Sequence, residues 1–124
     1  MWTLCILAIA GAAGTLARYT LGGWAHQWLG SQFPYGTLVV NLAGCLTIGF
    51  LGTLSDERSL FSSEVRIALF IGFLGALTTY SSVAYETWAM LKDGEVLVAL
   101  LNVFGGFAAC FAGLFLGVLL ARLT

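Results

Sequence analysis

Charged residues are scarce in this sequence, which has five Lys and Arg, six Asp and Glu and one His among 124 residues. Charged side chains make up 9% of the chain, against roughly a quarter in an ordinary soluble domain. The basic residues are scattered and the formal net charge is −1, so no nucleic-acid partner is predicted. An enzyme is not predicted either, because the single His26 is placed in a loop and no nucleophile and base pair stands out.

Cysteine is also rare, and its spacing excludes a metal site of the usual kind. Cys5, Cys45 and Cys110 all fall within apolar stretches and have no metal-ligand spacing. The sequence therefore predicts buried free thiols rather than disulfides or a zinc site.

Apolar residues, in contrast, make up 60% of the chain, and the mean hydropathy is +0.96. A helix needs about 20 apolar residues to cross the hydrocarbon core of a bilayer. Four stretches reach that length, namely 2–23, 33–54, 65–91 and 96–120. The first lacks the basic segment of a secretory signal, so we expect it to remain as a span. The sequence predicts an all-α membrane protein, with one domain of four transmembrane helices over 1–124.

Basic residues are nearly balanced between the two sides of the membrane. An even number of spans puts both termini on one side, which then carries Arg58, Arg66 and Arg122. The other side carries Lys92, with Arg18 near the end of its helix. The positive-inside rule gives only a weak bias here, so dual insertion and a single orientation both remain open.

Small residues recur along two of the spans. Glycine costs about 1 kcal/mol relative to alanine inside a helix in water, and in membranes it usually serves close helix packing. The fourth span has a stripe at steps of four, formed by Gly105, Ala109, Gly113 and Gly117. The second span has a looser series, formed by Gly44, Cys45, Gly49 and Gly52. These seams exceed what one four-helix unit needs and so favour an oligomer.

Polar groups deep in the first two spans are candidates for function, because each is costly in hydrocarbon. Arg18 is the only charge well inside the first span, and it is either a vestibule charge or an anchor that reaches the interface. Thr37 and Asn41 lie four residues apart on one helix face. They either donate hydrogen bonds along a polar path or form an interhelical clasp.

The third span contains two glycines followed by a Thr and Ser run, over residues 72–82. Glycine and backbone-bonding hydroxyls weaken a helix, so a break is predicted here. Such a break is tolerated only against protein or a water-filled cavity, and its freed carbonyls can coordinate a cation. The segment therefore indicates an ion-handling site.

Beyond that break, helical periodicity separates two faces. Tyr80, Val83 and Thr87 share one face, and Ser82 and Glu86 share the adjacent one. Glu86 is the only carboxylate in the spans and is either functional or an exposed interfacial acid.

Three segments of the chain resemble the Fluc family of microbial fluoride channels, also called CrcB. They are GAAGTLARY at 11–19, GTLVVNLAG at 36–44 and GFLGALTTYSSVAYE at 72–86. Each is modest alone, but their order and spacing across essentially the full chain are specific.

The resemblance implies a fluoride-selective channel of the cell inner membrane that lowers cytoplasmic fluoride by passive efflux. It implies an antiparallel, dual-topology homodimer with two pores at the subunit interface. It also implies a central structural Na⁺ held by backbone carbonyls of Gly75 and Thr78 from each subunit. The candidate fluoride pathway comprises Arg18, Thr37, Asn41, Tyr80, Ser81, Ser82, Val83 and Glu86.

The sequence departs from that family pattern at several positions. Tyr80 and Val83 stand where the family has phenylalanines, so one aromatic is altered and the other lost. In the fourth span, Cys110 and Leu114 replace the usual hydroxyl residues, and only Asn102 is strongly polar. These departures also fit one subunit of a heterodimeric fluoride channel.

Two other classes of membrane protein are alternatives. A small dual-topology multidrug exporter needs a central acid in its first span, where this chain has Arg18. A non-transporting membrane subunit would use its polar residues for packing only, and the Gly, Thr and Ser break disfavours it.

Overall fold

The computed structural model describes residues 1–124, and all of its regular structure is helical. The elements are, in chain order, α1 (Trp2–Leu29), α2 (Tyr35–Arg58), α3 (63–77), α4 (Tyr80–Lys92) and α5 (Val96–Leu123). The helices α3 and α4 together form the third span, Ser63–Lys92. Each of the four spans is long and apolar enough to cross a membrane. The expected all-α, multi-pass membrane protein is confirmed.

The third span changes backbone conformation several times along its length. It starts as α-helix over Ser63–Arg66 and continues as π-helix over Ile67–Leu74. Between α3 and α4, Thr78 has φ −88° and ψ 159°, and Thr79 has φ −151° and ψ 120°. Both residues are therefore extended rather than helical, within the segment where glycine and hydroxyl residues weaken the helix.

The fourth span also departs from a regular α-helix, over Leu101–Gly105. This stretch is π-helical, and it carries the buried Asn102. Local π-turns inside helices are frequently associated with functional sites.

The helices are longer than the apolar stretches that identify them. The first helix ends at Leu29 rather than near residue 23, and the second ends at Arg58 rather than near residue 54. An apolar stretch marks the hydrocarbon crossing, whereas a helix continues into the interfacial region. The assignment of His26 to a loop is wrong, because His26 lies in the last turn of α1.

Glycine allows α2 and α5 to pack in close contact. A Cβ atom at Gly117 would overlap the carbonyl oxygen of Leu46, and one at Gly49 would overlap that of Leu114. At Gly113 a Cβ would lie 2.6 Å from the Leu42 side chain. Gly49, Gly113 and Gly117 therefore serve packing within one chain.

The stripe predicted for the fourth span does not act as one continuous face. Gly113 and Gly117 are buried, but Gly105 is exposed, with no atom near the position of its missing Cβ. Residues four apart on an α-helix drift by about 40° per step, so three steps rotate the face by about a third of a turn. Only the last two stripe glycines therefore meet α2.

Little of the chain is buried within one subunit. Fourteen of the 124 residues are buried, and the core cluster consists of Val40, Leu74 and Leu77. Large apolar side chains are exposed along every span, including four phenylalanines of α5. Because four phenylalanines on one helix cannot face water, this surface contacts lipid or another chain.

Candidate functional site

The extended backbone between α3 and α4 is held by Asn41 of α2. The Thr79 N–H donates to Asn41 Oδ1 over 2.7 Å, and Asn41 Nδ2 donates to the Thr79 carbonyl over 2.9 Å. One carboxamide thus satisfies both backbone groups of a residue outside the helices. Of the two interpretations of Asn41, the interhelical clasp is present, and one N–H of the carboxamide has no partner in this pairing.

The interruption also removes the helical donors of several backbone carbonyls, among them those of Gly75 and Thr78. In a continuous helix Thr79 N–H would donate to Gly75, but it donates to Asn41 instead. Likewise Ser82 N–H would donate to Thr78, but it donates to the Thr79 hydroxyl over 3.2 Å. Carbonyl oxygens of this kind are suitable ligands for a small hard cation. The residues present therefore fit the structural Na⁺ that the resemblance implies.

Arg18 reaches the same interruption from α1. Its Nε donates to the Ala76 carbonyl over 2.7 Å, and its Nη2 donates to the same oxygen. Gly14, one turn earlier, permits this approach, since a Cβ there would overlap the Phe73 carbonyl oxygen. Arg18 is thus half-buried against α3 rather than extended to the membrane interface.

Thr37 and Glu86 join α2 to α4 by a direct hydrogen bond. The Thr37 hydroxyl donates to Glu86 Oε1, while Oε2 is buried and has no partner within the chain. Of the two interpretations of Glu86, the exposed interfacial acid is wrong, because the residue is half-buried. Thr37 does not share a hydrogen bond with Asn41, although both lie on the same face of α2.

A hydroxyl cluster surrounds the start of α4. The Thr79 hydroxyl lies 2.9 Å from the Ser82 hydroxyl and 3.3 Å from that of Ser81. Thr79 is the N-cap of α4 and was not among the predicted site residues. Threonine is a preferred N-cap residue, so this signal was available in the sequence.

Two cavities meet at this interruption, and we name them the polar cavity and the groove. The polar cavity has a volume of about 360 Å³. It is lined by Arg18, Tyr19, Gly22, Gly23, His26, Pro34, Gly36, Thr37, Val40, Thr79, Ser82 and Glu86. The groove has a volume of about 820 Å³ and no charged residue in its lining. Its polar members are Thr37, Asn41, Thr78, Thr79, Tyr80, Thr87 and Asn102, with Cys45 and Cys110.

The predicted site residues are divided between these two cavities, which meet at Thr37 and Thr79. Arg18, Ser82 and Glu86 line the polar cavity, whereas Asn41, Tyr80 and Val83 line the groove. Thr37 and Thr79 line both, and Ser81 lines neither. Thr79 and Thr37 therefore form the boundary between a charged compartment and a neutral one.

A second polar contact lies deeper in the groove, between α4 and the π-helical part of α5. Asn102 Nδ2 donates to the Thr87 hydroxyl over 3.0 Å, and the Thr87 hydroxyl donates to the Val83 carbonyl over 2.7 Å. Asn102 is the strongly polar residue noted in the fourth span, but its partner Thr87 was not predicted. The contact places hydrogen-bonding groups beside the apolar Val83.

The four apolar spans and the polar groups that meet inside them define a small multi-pass membrane protein with an intramembrane polar site. The family described as CrcB-like protein, Camphor Resistance (CrcB), matches residues 5–118. The chain belongs to this family.

Relatives in two bacteria are similar over nearly the whole chain. One from Geobacter metallireducens is 46% identical over 122 residues, and the alignment covers 98% of each chain. One from Geotalea uraniireducens is 43% identical, again with 98% of each chain covered. Both relatives are named fluoride-specific ion channel FluC. Because the family consists of ion channels, the chain is not an enzyme.

Proposed function

We propose that this chain conducts fluoride passively across the cell inner membrane and so lowers its concentration in the cytoplasm. The observation that carries the proposal is the junction at Thr79, where the polar cavity, which contains the Arg18 cation, meets the groove, which has neutral donors. The names of the two bacterial relatives support the choice of fluoride. The pathway would run from Arg18 through Thr37 and Ser82 to Asn41.

The chemistry of these side chains suits a small, strongly hydrated anion. Fluoride accepts hydrogen bonds, so a pore must replace its water with donors such as hydroxyl and carboxamide groups. A full positive charge at the narrowest point would hold the anion too tightly, whereas one set back in a vestibule attracts it without trapping it. Arg18 lines the polar cavity and Asn41 lines the groove, so the positive charge is set apart from the neutral donors, which supports the proposal.

The functional unit in this proposal is an antiparallel dimer with two pores at the subunit interface. The groove lies between α2, the third span and α5 and is open along one side of the single chain. Its apolar lining and its volume of about 820 Å³ favour occupation by helices of an inverted second copy. Each copy would close the groove of the other.

Charge at the membrane ends is compatible with two orientations. On the side of both termini, Arg66 pairs with Asp56 over 2.8 Å, and Arg122 pairs with Glu57 over 2.7 Å. The positive-inside rule counts Lys and Arg and gives acidic residues little weight, so the bias comes from three basic residues on this side against Lys92 and Arg18 on the other. The remaining bias is small enough for both insertions.

The dimer would include a central Na⁺ held by the carbonyls of Gly75 and Thr78 from each subunit. When bound there, the ion would supply positive charge that compensates for the carbonyl dipoles. Within this chain, Asn41 holds the extended segment open, and Arg18 occupies the neighbouring Ala76 carbonyl. Gly75 is exposed in the single chain, as a ligand shared between subunits needs to be.

A fluoride efflux assay on liposomes that contain only this purified chain tests the proposal. Rapid fluoride release without chloride release is the expected result. Proton-driven export of an organic cation would indicate the multidrug-exporter alternative, and absence of any transport would favour a non-transporting subunit. The departures at Tyr80 and Val83 favour one further candidate, a heterodimer subunit, for which flux would require a second related chain.

Because basic residues are nearly balanced between the two sides, we expect added positive charge to force a single orientation of the chain in the membrane. Adding Lys or Arg to one side should give a single orientation and abolish fluoride flux, because antiparallel pairs no longer form. Coexpression with the oppositely biased variant should restore flux. A biased variant that conducts fully on its own would exclude the antiparallel dimer.

The presence of Val83, where the family pattern has a phenylalanine, leads to a second prediction. Val83→Phe should be tolerated and should raise fluoride flux, because aromatic ring edges carry partial positive charge. Tyr80→Ala should lower flux more than Val83→Ala does. The measurement is fluoride flux from liposomes. If substitutions at Tyr80 and at Val83 both leave the flux unchanged, an aromatic contribution to the pathway is excluded.

A further inference from the structure

Two of the three cysteines lie side by side across α2 and α5. Cys45 and Cys110 are both free and half-buried, and both line the groove. Both therefore border the part of the groove where α2 and α5 meet. Neither thiol has a role in the proposed fluoride pathway, so the pair is a feature of the groove that the function does not explain.

The packing of the two helix backbones brings Cys45 and Cys110 together. The helices α2 and α5 run parallel, because their contact partners advance together: Gly113 packs against Leu42 and Gly117 against Leu46. Gly49 of α2 also lies against Leu114 of α5, and moving four residues back from each leads to Cys45 and Cys110, one turn along the same seam. Because the glycines bring the two helices together, the two Cβ atoms are held near each other.

From this arrangement we infer that Cys45 and Cys110 together form a two-thiol binding site for a soft metal cation that prefers two sulfur ligands. Binding of the probe ion Hg²⁺ would form two S–Hg bonds, and both thiols would release their protons, so that the neutral dithiolate complex and two H⁺ are produced. The surrounding groove is uncharged, which suits a neutral complex.

The remainder of the groove disfavours the common hard cations at this position. Ca²⁺ and Mg²⁺ require several oxygen ligands, usually with carboxylates among them, and no carboxylate lines the groove. No group of three or more His, Cys, Asp or Glu side chains is present, so a tetrahedral zinc site is not available either. A two-coordinate thiophilic ion is the class that two thiols alone can satisfy.

Cys5 provides an internal control for the experiment. It is exposed near the start of α1 and has no thiol partner. The site is therefore tested in Cys5→Ser protein, purified and intact, by titration with HgCl₂ followed by maleimide labelling and mass measurement. One Hg²⁺ per chain should protect both remaining thiols at once. Cys45→Ser and Cys110→Ser should each weaken Hg²⁺ binding roughly 100-fold or more, because the second ligand no longer acts at high effective concentration.

Two outcomes would overturn the inference. One is a titration in which two Hg²⁺ per chain are needed to protect both thiols from maleimide. The other is equal Hg²⁺ affinity in the Cys45→Ser, Cys110→Ser and two-thiol proteins. Cys45→Ala and Cys110→Ala serve if a serine variant fails to fold, as judged by gel filtration. The readout is thiol protection, so it does not depend on whether the chain conducts fluoride.

Discussion

Gly117→Ala is expected to destabilise the folded chain by about 1–3 kcal/mol, which is the cost of inserting a methyl group into a tightly packed seam. The added Cβ would overlap the Leu46 carbonyl oxygen and lie 2.8 Å from the Phe50 backbone nitrogen. Both obstacles are backbone atoms of α2, so no side-chain rotation relieves them. The helices α2 and α5 must separate instead, which disrupts the groove that they line.

Gly105→Ala is the matched control on the same helix. No atom lies within 4 Å of a Cβ at Gly105, so only the better helix propensity of alanine acts there, about 1 kcal/mol in its favour. Thermal unfolding in detergent should therefore give a lower Tm for Gly117→Ala and an unchanged or higher Tm for Gly105→Ala. If the two variants melt alike, the close contact between α2 and α5 is not as described.

The features that could be predicted from sequence are those encoded locally. Apolar length alone identifies the four spans, because a bilayer fixes how many residues a helix needs. The weak helix around Thr78 and Thr79 follows from nearby glycines and hydroxyls that compete for backbone hydrogen bonds. The two faces of α4 follow from helical periodicity, and they line different cavities.

Partners across helices could not be predicted, because they depend on rotation and depth that one helix does not encode. Asn41 and Thr37 lie on one face, yet Asn41 binds Thr79 and Thr37 binds Glu86. The same limit explains the small-residue stripe, since a regular step of four does not reveal how far the face has rotated. It also explains why the residues predicted for the fluoride pathway line two cavities.

Asn41→Asp is expected to reduce fluoride conduction roughly a thousandfold when the introduced acid is ionised. At about 4 Å and an effective dielectric constant near 20, two like charges repel by roughly 4 kcal/mol. That repulsion corresponds to a loss of close to three orders of magnitude in anion occupancy. The volume of the side chain is nearly unchanged, so the effect is electrostatic. Flux should be measured at high pH, where the acid is ionised.

Because Asn41 also holds Thr79, the dimer yield of each Asn41 variant must be measured alongside its fluoride flux. An aspartate can still accept from the Thr79 N–H, but its second oxygen faces the Thr79 carbonyl, to which Asn41 donates over 2.9 Å. If Asn41 acted only as a clasp, Asn41→Asp and the polar control Asn41→Ser would each lose fluoride flux in proportion to their loss of dimer yield. If Asn41 also lines the pore, Asn41→Asp loses flux far beyond its loss of dimer, whereas Asn41→Ser keeps a donor and much of its flux. A folded, dimeric Asn41→Asp protein with wild-type flux would remove Asn41 from the pathway.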